Sequence, residues 1–218
     1  MNATIAIIDD HPIVRHGMIS VLEERSEWKV KGEAPSVKEG VDLINALQPD
    51  LAIVDLSLTD GNGLDLIKQI RETPSKTKFL VMSMNDESLF AERVLRAGAL
   101  GYLHKQEARE KLISAVDRVL AGHIFVSEAI SSRLFIQAIS GKKPLEQSPL
   151  SALSDRELEV FELIGKGLSS AEIAEKLKVG VKTVETHRFR IKDKLNLKNA
   201  QELIRHATQW YLDRGFCR

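Results

Sequence analysis

The chain contains one cysteine, Cys217, among 218 residues. An internal disulfide is therefore excluded, and such sparing use of cysteine fits a reducing compartment. An excess of one charge is also missing, since 31 lysines and arginines balance 31 aspartates and glutamates. Global charge thus points to no nucleic acid or membrane surface, and local clusters must carry any such argument. No apolar run approaches the ~20 residues needed to cross a bilayer, so no membrane partner is expected. Met1-Asn2-Ala3-Thr4 has no basic patch and leads straight into a strand, so no signal peptide is expected and the predicted location is cytoplasmic. The length allows one or two domains, each with its own core.

What the first half does contain is a repeated alternation. Thr4–Ile8 is a β-branched run ending on Asp9-Asp10, and Pro12 then suits the first turn of a helix striped with Val14, Met18, Ile19 and Leu22. A weaker strand, Trp28–Ala34, precedes an amphipathic segment from Val37 to Leu47. Leu51-Ala52-Ile53-Val54 is short and wholly apolar, as in a buried strand, and ends on Asp55. Asp60-Gly61-Asn62-Gly63 is turn chemistry, followed by Leu64, Leu66, Ile67 and Ile70 at helical spacing. Phe79–Met82 ends on Ser83, and Gly101–His104 ends on Lys105 before a last helix near Glu107–Leu120. Strand then helix, about five times over, predicts a parallel sheet covered on both faces.

If the strands are parallel, their carboxyl ends share one rim, where open α/β sheets bind ligands. Asp9, Asp10, Asp55, Ser83 and Lys105 would then gather there. Crowded carboxylates repel unless a divalent cation sits among them. Magnesium suits a few carboxylates together with phosphate oxygens and water. Lys105 would face an incoming phosphoryl group as counter-charge, with Ser83 donating to it.

The acidic pair Asp9-Asp10, Asp55, Ser83, Tyr102 and Lys105, in this order, resemble the receiver domain of two-component response regulators. The resemblance implies a doubly wound five-stranded fold that accepts a phosphoryl group on Asp55 from a partner histidine kinase. It also implies that Asp10 binds Mg2+ directly, Asp9 through water, Asp55 itself and the Ser57 backbone carbonyl completing the set. Ser83 and Tyr102 would be the switch pair, Tyr102 turning inward when phosphoryl arrives. The pattern departs from the family at Leu58-Thr59, where Met-Pro is common, and at Gln106, where proline is common. Both changes bear on loop shape, not on charge.

His123–Ile139 carries apolar residues at mixed spacing and reads as a further helical segment. Gly141-Lys142-Lys143-Pro144 through Ser148-Pro149 is breaker-rich, hence a tether. The division expected is residues 1–122 receiver, 123–150 linker and 151–218 a second, all-α domain. There, Ser154-Asp155-Arg156-Glu157 and Ser169-Ser170-Ala171-Glu172 are capping boxes. Two short helices joined by Lys178-Val179-Gly180 form a helix-turn-helix. Projected at ~100° per residue, the helix from Val181 buries Val184, Ile191 and Leu195, with His187 and Arg188 flanking them. Between Val181 and Lys198 six basic residues face two acids, whereas Ser154–Leu177 has three against six. Lys182, Thr183, Glu185, Thr186, Arg188, Phe189, Arg190 and Lys192 are the candidate contacts to double-stranded DNA, basic groups to phosphates and Glu185, Thr186 or Phe189 to base edges. His187 is assigned to the core edge or to a backbone phosphate, since no second metal ligand is spaced near it.

The run LSDRELEVFELIGKGLSSAEIAEKLKVGVKTVETHRFRIKDKL is similar to the LuxR-type helix-turn-helix. With the receiver, this is the arrangement of NarL/FixJ-type regulators. What it implies is a transcription factor switched by phosphorylation, a homodimer when phosphorylated or DNA-bound, and not an enzyme beyond self-dephosphorylation. Two alternatives are weighed. A haloacid-dehalogenase-like phosphatase needs a second acid two residues past its nucleophile, and residue 57 is serine. A receiver-fold regulator governed by dimerisation or a protein partner, without phosphate, is the other.

Overall fold

The computed structural model describes residues 2–107, 109–140 and 149–215. Residues 141–148 of the expected tether, and Cys217, lie outside the described residues. The chain divides into two compact units, Met1–Ile136 and Gln137–Arg218.

The first unit runs β1 (Ala3–Ile8), α1 (Pro12–Leu22), β2 (Trp28–Ala34), α2 (Val37–Leu47), β3 (Leu51–Val54), β4 (Ser57–Leu58), β5 (Gly61–Asn62), α3 (Gly63–Arg71), β6 (Lys78–Ser83), α4 (Glu87–Ala97), β7 (Gly101–His104) and α5 (Arg109–Leu120). Five of the strands form a parallel sheet of order β2-β1-β3-β6-β7. The order reverses between β1 and β3, so the rim beyond those two strands is the switch point where such folds place ligands. Ile5, Ile7, Ile53, Leu80, Met82 and Leu103 pack with Met18 and Leu22 of α1 and with Leu112, Ala115, Val116 and Val119 of α5. Their alternates Ala6, Ile8, Ala52, Val54 and Val81 point to the opposite face and are equally buried. Each such Ile, Leu or Val contributes roughly 1.5–3 kcal/mol by leaving water. The strands are apolar throughout because both faces are covered, and the chain turns polar only where a strand meets the rim.

Two elements were not legible in the sequence. Ser57–Leu58 and Gly61–Asn62 pair antiparallel as a small hairpin inside the loop after β3. Residues 123–127, expected as helix, are not helical, and Phe125 among them makes a single parallel bridge to Gly101 at the outer edge of β7. There the Tyr102 amide donates to Phe125 O and the Phe125 amide to Leu100 O. Helix α6 (Glu128–Ser140) begins only after this segment. The periodic pattern alone could not separate an apolar connecting segment from an apolar helix.

The second unit holds a short 3-10 turn (Pro149–Ala152), then α7 (Asp155–Gly165), α8 (Ser170–Lys176), α9 (Val181–Lys194) and α10 (Ala200–Gly215). Both capping boxes form as expected. Leu158, Phe161, Ile173, Val184, Ile191, Leu203 and Ala207 are buried, and Trp210 meets Phe161 edge-on at 5.6 Å. Lys178 takes a left-handed φ of 51° in the turn between α8 and α9, and Gly180 begins α9 without a side-chain cap. Buried Glu157 of α7 accepts from Lys194 of α9 at 2.7 Å, tying the first helix to the last turn of the basic one.

Candidate functional site

β1, β3 and β6 run in register, Ile8 beside Val54 and Val54 beside Val81. Whatever follows Ile8 and Val54 must therefore emerge at one level. Asp9 and Asp55, 46 positions apart in the chain, are buried side by side there, 1% and 4% exposed. Lys105 follows β7 and places its ammonium 2.6 Å from Asp9 Oδ2 and 2.6 Å from Asp55 Oδ2. Carboxylate crowding is thus relieved by this lysine within the protein itself, without requiring a cation. Asp9 Oδ1 also accepts the His11 amide at 2.8 Å.

Burial pushes the Asp55 carboxyl up, neighbouring Asp9 raises it further, and Lys105 pulls back, leaving it at about 6. Burial alone would lower Lys105, but Asp55 and Asp9 outweigh it and hold the ammonium above its ordinary value. At neutral pH Asp55 is a carboxylate, yet a more basic and more nucleophilic one than an exposed aspartate. Its Oδ1 is buried and has no hydrogen-bond partner among the described residues. One oxygen is clamped and the other is left for an incoming group.

Asp9, Asp10, His11 and Asp55 each offer a ligand atom, all within 4.8 Å of one another. A set dominated by carboxylate oxygens, with a buried acceptor that lacks a donor, fits a hard divalent cation. His11 is the member that sequence reasoning passed over. Its Nδ1 lies 2.6 Å from Asp10 Oδ1, and its place directly after an acidic pair was the available signal.

Ser83 ends β6, buried, and its Oγ accepts the Asn85 amide. Tyr102, 1% exposed, donates its hydroxyl to Asn85 O at 2.6 Å. The inward turn expected of Tyr102 is therefore already complete in this structure, because a hydroxyl that finds a carbonyl inside can be buried with its ring. Asn85, which the sequence reading did not single out, joins the serine to the tyrosine.

The loop after Asp55 is held by Thr59, which departs from the family pattern, and by Asp60 and Asn62. Thr59 donates through its amide and its hydroxyl to Pro35 O, which a proline at 59 could not do through its nitrogen. Asp60 accepts the Val37 and Lys38 amides at the start of α2. Asn62 caps α3 by accepting from Leu64.

On α9, Lys182, Thr183, Glu185, Thr186, Phe189 and Arg190 are exposed and Lys192 is half-buried. Phe189 is 66% exposed, with the Lys192 ammonium 5.7 Å from its ring centre. Arg188 differs from the expectation. Its side chain is only 13% exposed and lies 3.9 Å from Glu185, as befits a residue flanking the core stripe. Burial and then Arg156 hold His187 below the usual imidazole value, so it is neutral at pH 7 and belongs to the core edge. No helix among the described residues is long and apolar enough to cross a membrane.

Comparison with known proteins agrees with this geometry. Residues 5–117 match the family model "Response regulator receiver domain", and residues 151–207 match "Bacterial regulatory proteins, luxR family". The chain is 39% identical over 207 residues to the oxygen regulatory protein NreC of Staphylococcus carnosus, covering 93% of this chain and 95% of that one. It is similar to the solved structure of RcsB from Salmonella enterica serovar Typhimurium bound to a promoter in the presence of a phosphomimetic, with 29% identity, TM-score 0.63 and coverage of 96% and 100%. A LuxR-family two-component response regulator from an Aurantimonas species matches at 31% identity and TM-score 0.59, over 64% of this chain and 99% of that one. The chain belongs to the NarL/FixJ-type response regulators, a receiver domain joined to a LuxR-family helix-turn-helix, and is a DNA-binding regulator controlled by phosphorylation.

Proposed function

We propose that Asp55 is the phosphoacceptor and that its phosphorylation sets the DNA affinity of α9. The observation carrying this is the division of labour within one carboxylate, Oδ2 clamped by Lys105 and Oδ1 buried without a donor. Asp55 attacks the phosphorus of a phosphohistidine on a sensor histidine kinase. The O–P bond forms as the N–P bond breaks, and the imidazole leaves. Lys105 and the Ser83 hydroxyl then hold phosphoryl oxygens. Asp10, Asp55 and the Ser57 carbonyl would hold Mg2+ directly and Asp9 through water, with His11 beside them. When bound, the cation neutralises charge on the transferring group. The regulator acts in the cytoplasm as a homodimer when phosphorylated or DNA-bound, and RcsB, a similar protein, has been solved as dimers on DNA.

Residues 1–122 are the receiver proper and 151–218 the DNA-binding domain, with 123–150 between them. Within that connection, 123–136 are part of the first compact unit. Lys182, Arg190 and Lys192 bind phosphates. Glu185, Thr186 and Phe189 reach base edges, the Thr186 hydroxyl being already donated to Lys182 O so that its methyl is the contacting group. Thr183 lies beside them, and Arg188 acts chiefly by holding Glu185.

Beryllofluoride with Mg2+ should tighten binding to target DNA several-fold in fluorescence anisotropy. Equal affinity with and without it would favour control by a partner protein instead. Lys182→Ala should flatten the log–log salt dependence of binding by about one unit, as for one lost phosphate contact. An unchanged slope would put Lys182 off the DNA.

A further inference from the structure

His11 is the N-cap residue of α1, yet its side chain makes no cap hydrogen bond. Serine, threonine, aspartate or asparagine does that work at most helix starts. Pro12, the first helical residue, has no N–H to satisfy and a φ already set for the helix, so α1 begins without help from the imidazole. The backbone instead folds the ring back over the acids. The His11 amide donates to Asp9 Oδ1 at 2.8 Å, and Arg15 Nη1 donates to Asp9 O at 2.6 Å. These two bonds fix the turn from β1 into α1. They leave the imidazole Nδ1 2.6 Å from Asp10 Oδ1 and 3.4 Å from Asp9 Oδ1.

Exposure divides this cluster. The Asp9 and Asp10 side chains are 1% and 6% exposed, and that of His11 is 61%. The imidazole is thus the member that water reaches, and the carboxylates lie behind it. Asp55, its side chain 3% exposed, keeps Oδ1 buried without a hydrogen-bond partner among the described residues, an acceptor open to a cation. All four residues bring a ligand atom within 4.8 Å of the others. Mg2+ takes oxygen ligands and gains little from a nitrogen. Imidazole suits first-row transition ions, whose affinities for such mixed sites rise from Mn2+ to Co2+. A ring that merely oriented Asp10 would help every cation alike, whereas a ligating nitrogen would discriminate among them.

We propose that His11 is a metal ligand through Nδ1 and tunes the rim site towards a divalent first-row transition ion, Mn2+ or Co2+, over Mg2+. This deepens the reading of the rim as the cation site and rests on it. The carboxylates supply the charge that any divalent ion needs, and His11 supplies the one donor that tells the ions apart. Two ions then compete for a single site beside Asp55.

The test uses the full chain with Mn2+, Co2+ or Mg2+ alone and no phosphoryl donor. Electron spin-echo spectroscopy of the Mn2+-loaded chain should show modulation from a directly bound imidazole nitrogen, and His11→Asn should abolish it. In calorimetry His11→Asn should weaken Co2+ about tenfold or more, the scale of a lost metal-site partner, and Mg2+ by less than about twofold. Asparagine is a good N-cap, so this variant keeps the start of α1, and His11→Ala, its fold checked by circular dichroism, should repeat the result. Asp55→Asn, which retains His11, should weaken both ions together. Bound Mn2+ without the nitrogen signal would overturn the proposal, as would Co2+ and Mg2+ weakened equally by His11→Asn. So would Co2+ held by Asp55→Asn as tightly as by the wild type. Mg2+ held as tightly by Asp55→Asn would instead remove the cation from the rim, and both readings with it.

Discussion

An Asp55→Asn chain should take up no phosphoryl label from acetyl phosphate and Mg2+, and in Mg2+-free buffer it should be more stable than the wild type. Both results follow from one buried carboxylate. In the folded chain Asp55 titrates at about 6, against 3.8 for the same group in the open. The folded state thus binds that proton more tightly, and the ionised form is what folding disfavours. The penalty is absent below about pH 4, where the group is protonated in both states. It grows as pH rises and is complete above about 6, where the gap corresponds to roughly 3 kcal/mol. Asparagine has the same shape without the charge, and Lys105 keeps Asp9 as a partner. Part of the penalty should therefore be recovered, about 1–3 kcal/mol at pH 7, and the difference should vanish near pH 4. Urea unfolding followed at both pH values reads this directly. Adding Mg2+ should stabilise the wild type more than the variant, because a ligand that binds only the folded state raises its stability. A labelled Asp55→Asn chain would remove Asp55 from its assigned role.

Gly63→Ala should cost about 3 kcal/mol and slow labelling of Asp55 at least tenfold, although it adds a single carbon. A Cβ at Gly63 would lie 2.0 Å from the Asp55 carbonyl oxygen and 2.8 Å from Val54 Cγ1. Neither contact is with the end of a flexible chain, so the backbone at Asp55 must move, and overpacking of this kind typically costs 1–3 kcal/mol or somewhat more. The Gly63 amide also donates to Leu56 O, closing the loop tightly on the strand that positions the acceptor. Gly17 on α1 is the control, having nothing within 4 Å of its Cβ position. Gly17→Ala should stabilise by roughly 0.5–1 kcal/mol, the helix preference of alanine over glycine. Urea melts and labelling rates of the two variants should diverge in opposite directions. A Gly63→Ala chain that labels at the wild-type rate would show that the loop absorbs the shift away from Asp55.

Much of the fold was legible because the signals are local. Leu51–Val54 is apolar at every position since a central parallel strand is covered on both faces. Ser154 and Ser169 announce helices because a capping box closes within four residues. The stripe of Val184 and Ile191 on α9 follows from the helical repeat alone. The acids at the ends of two strands were likewise visible, since parallel pairing obliges strand ends to meet at one rim.

The sequence by itself thus determined the two-part plan, the strand ends that would converge and the helix that would present positive charge. Only the tertiary structure decided how the converging groups are paired. Lys105 lies between Asp9 and Asp55, Tyr102 is already turned in to Asn85, Arg188 is turned to Glu185, and Phe125 bridges to β7 instead of joining a helix. The reason is physical. Periodicity and capping act over a few residues, whereas an ion pair reaching 50 or 96 positions along the chain depends on distances between strands and on how far each charge is stripped of water.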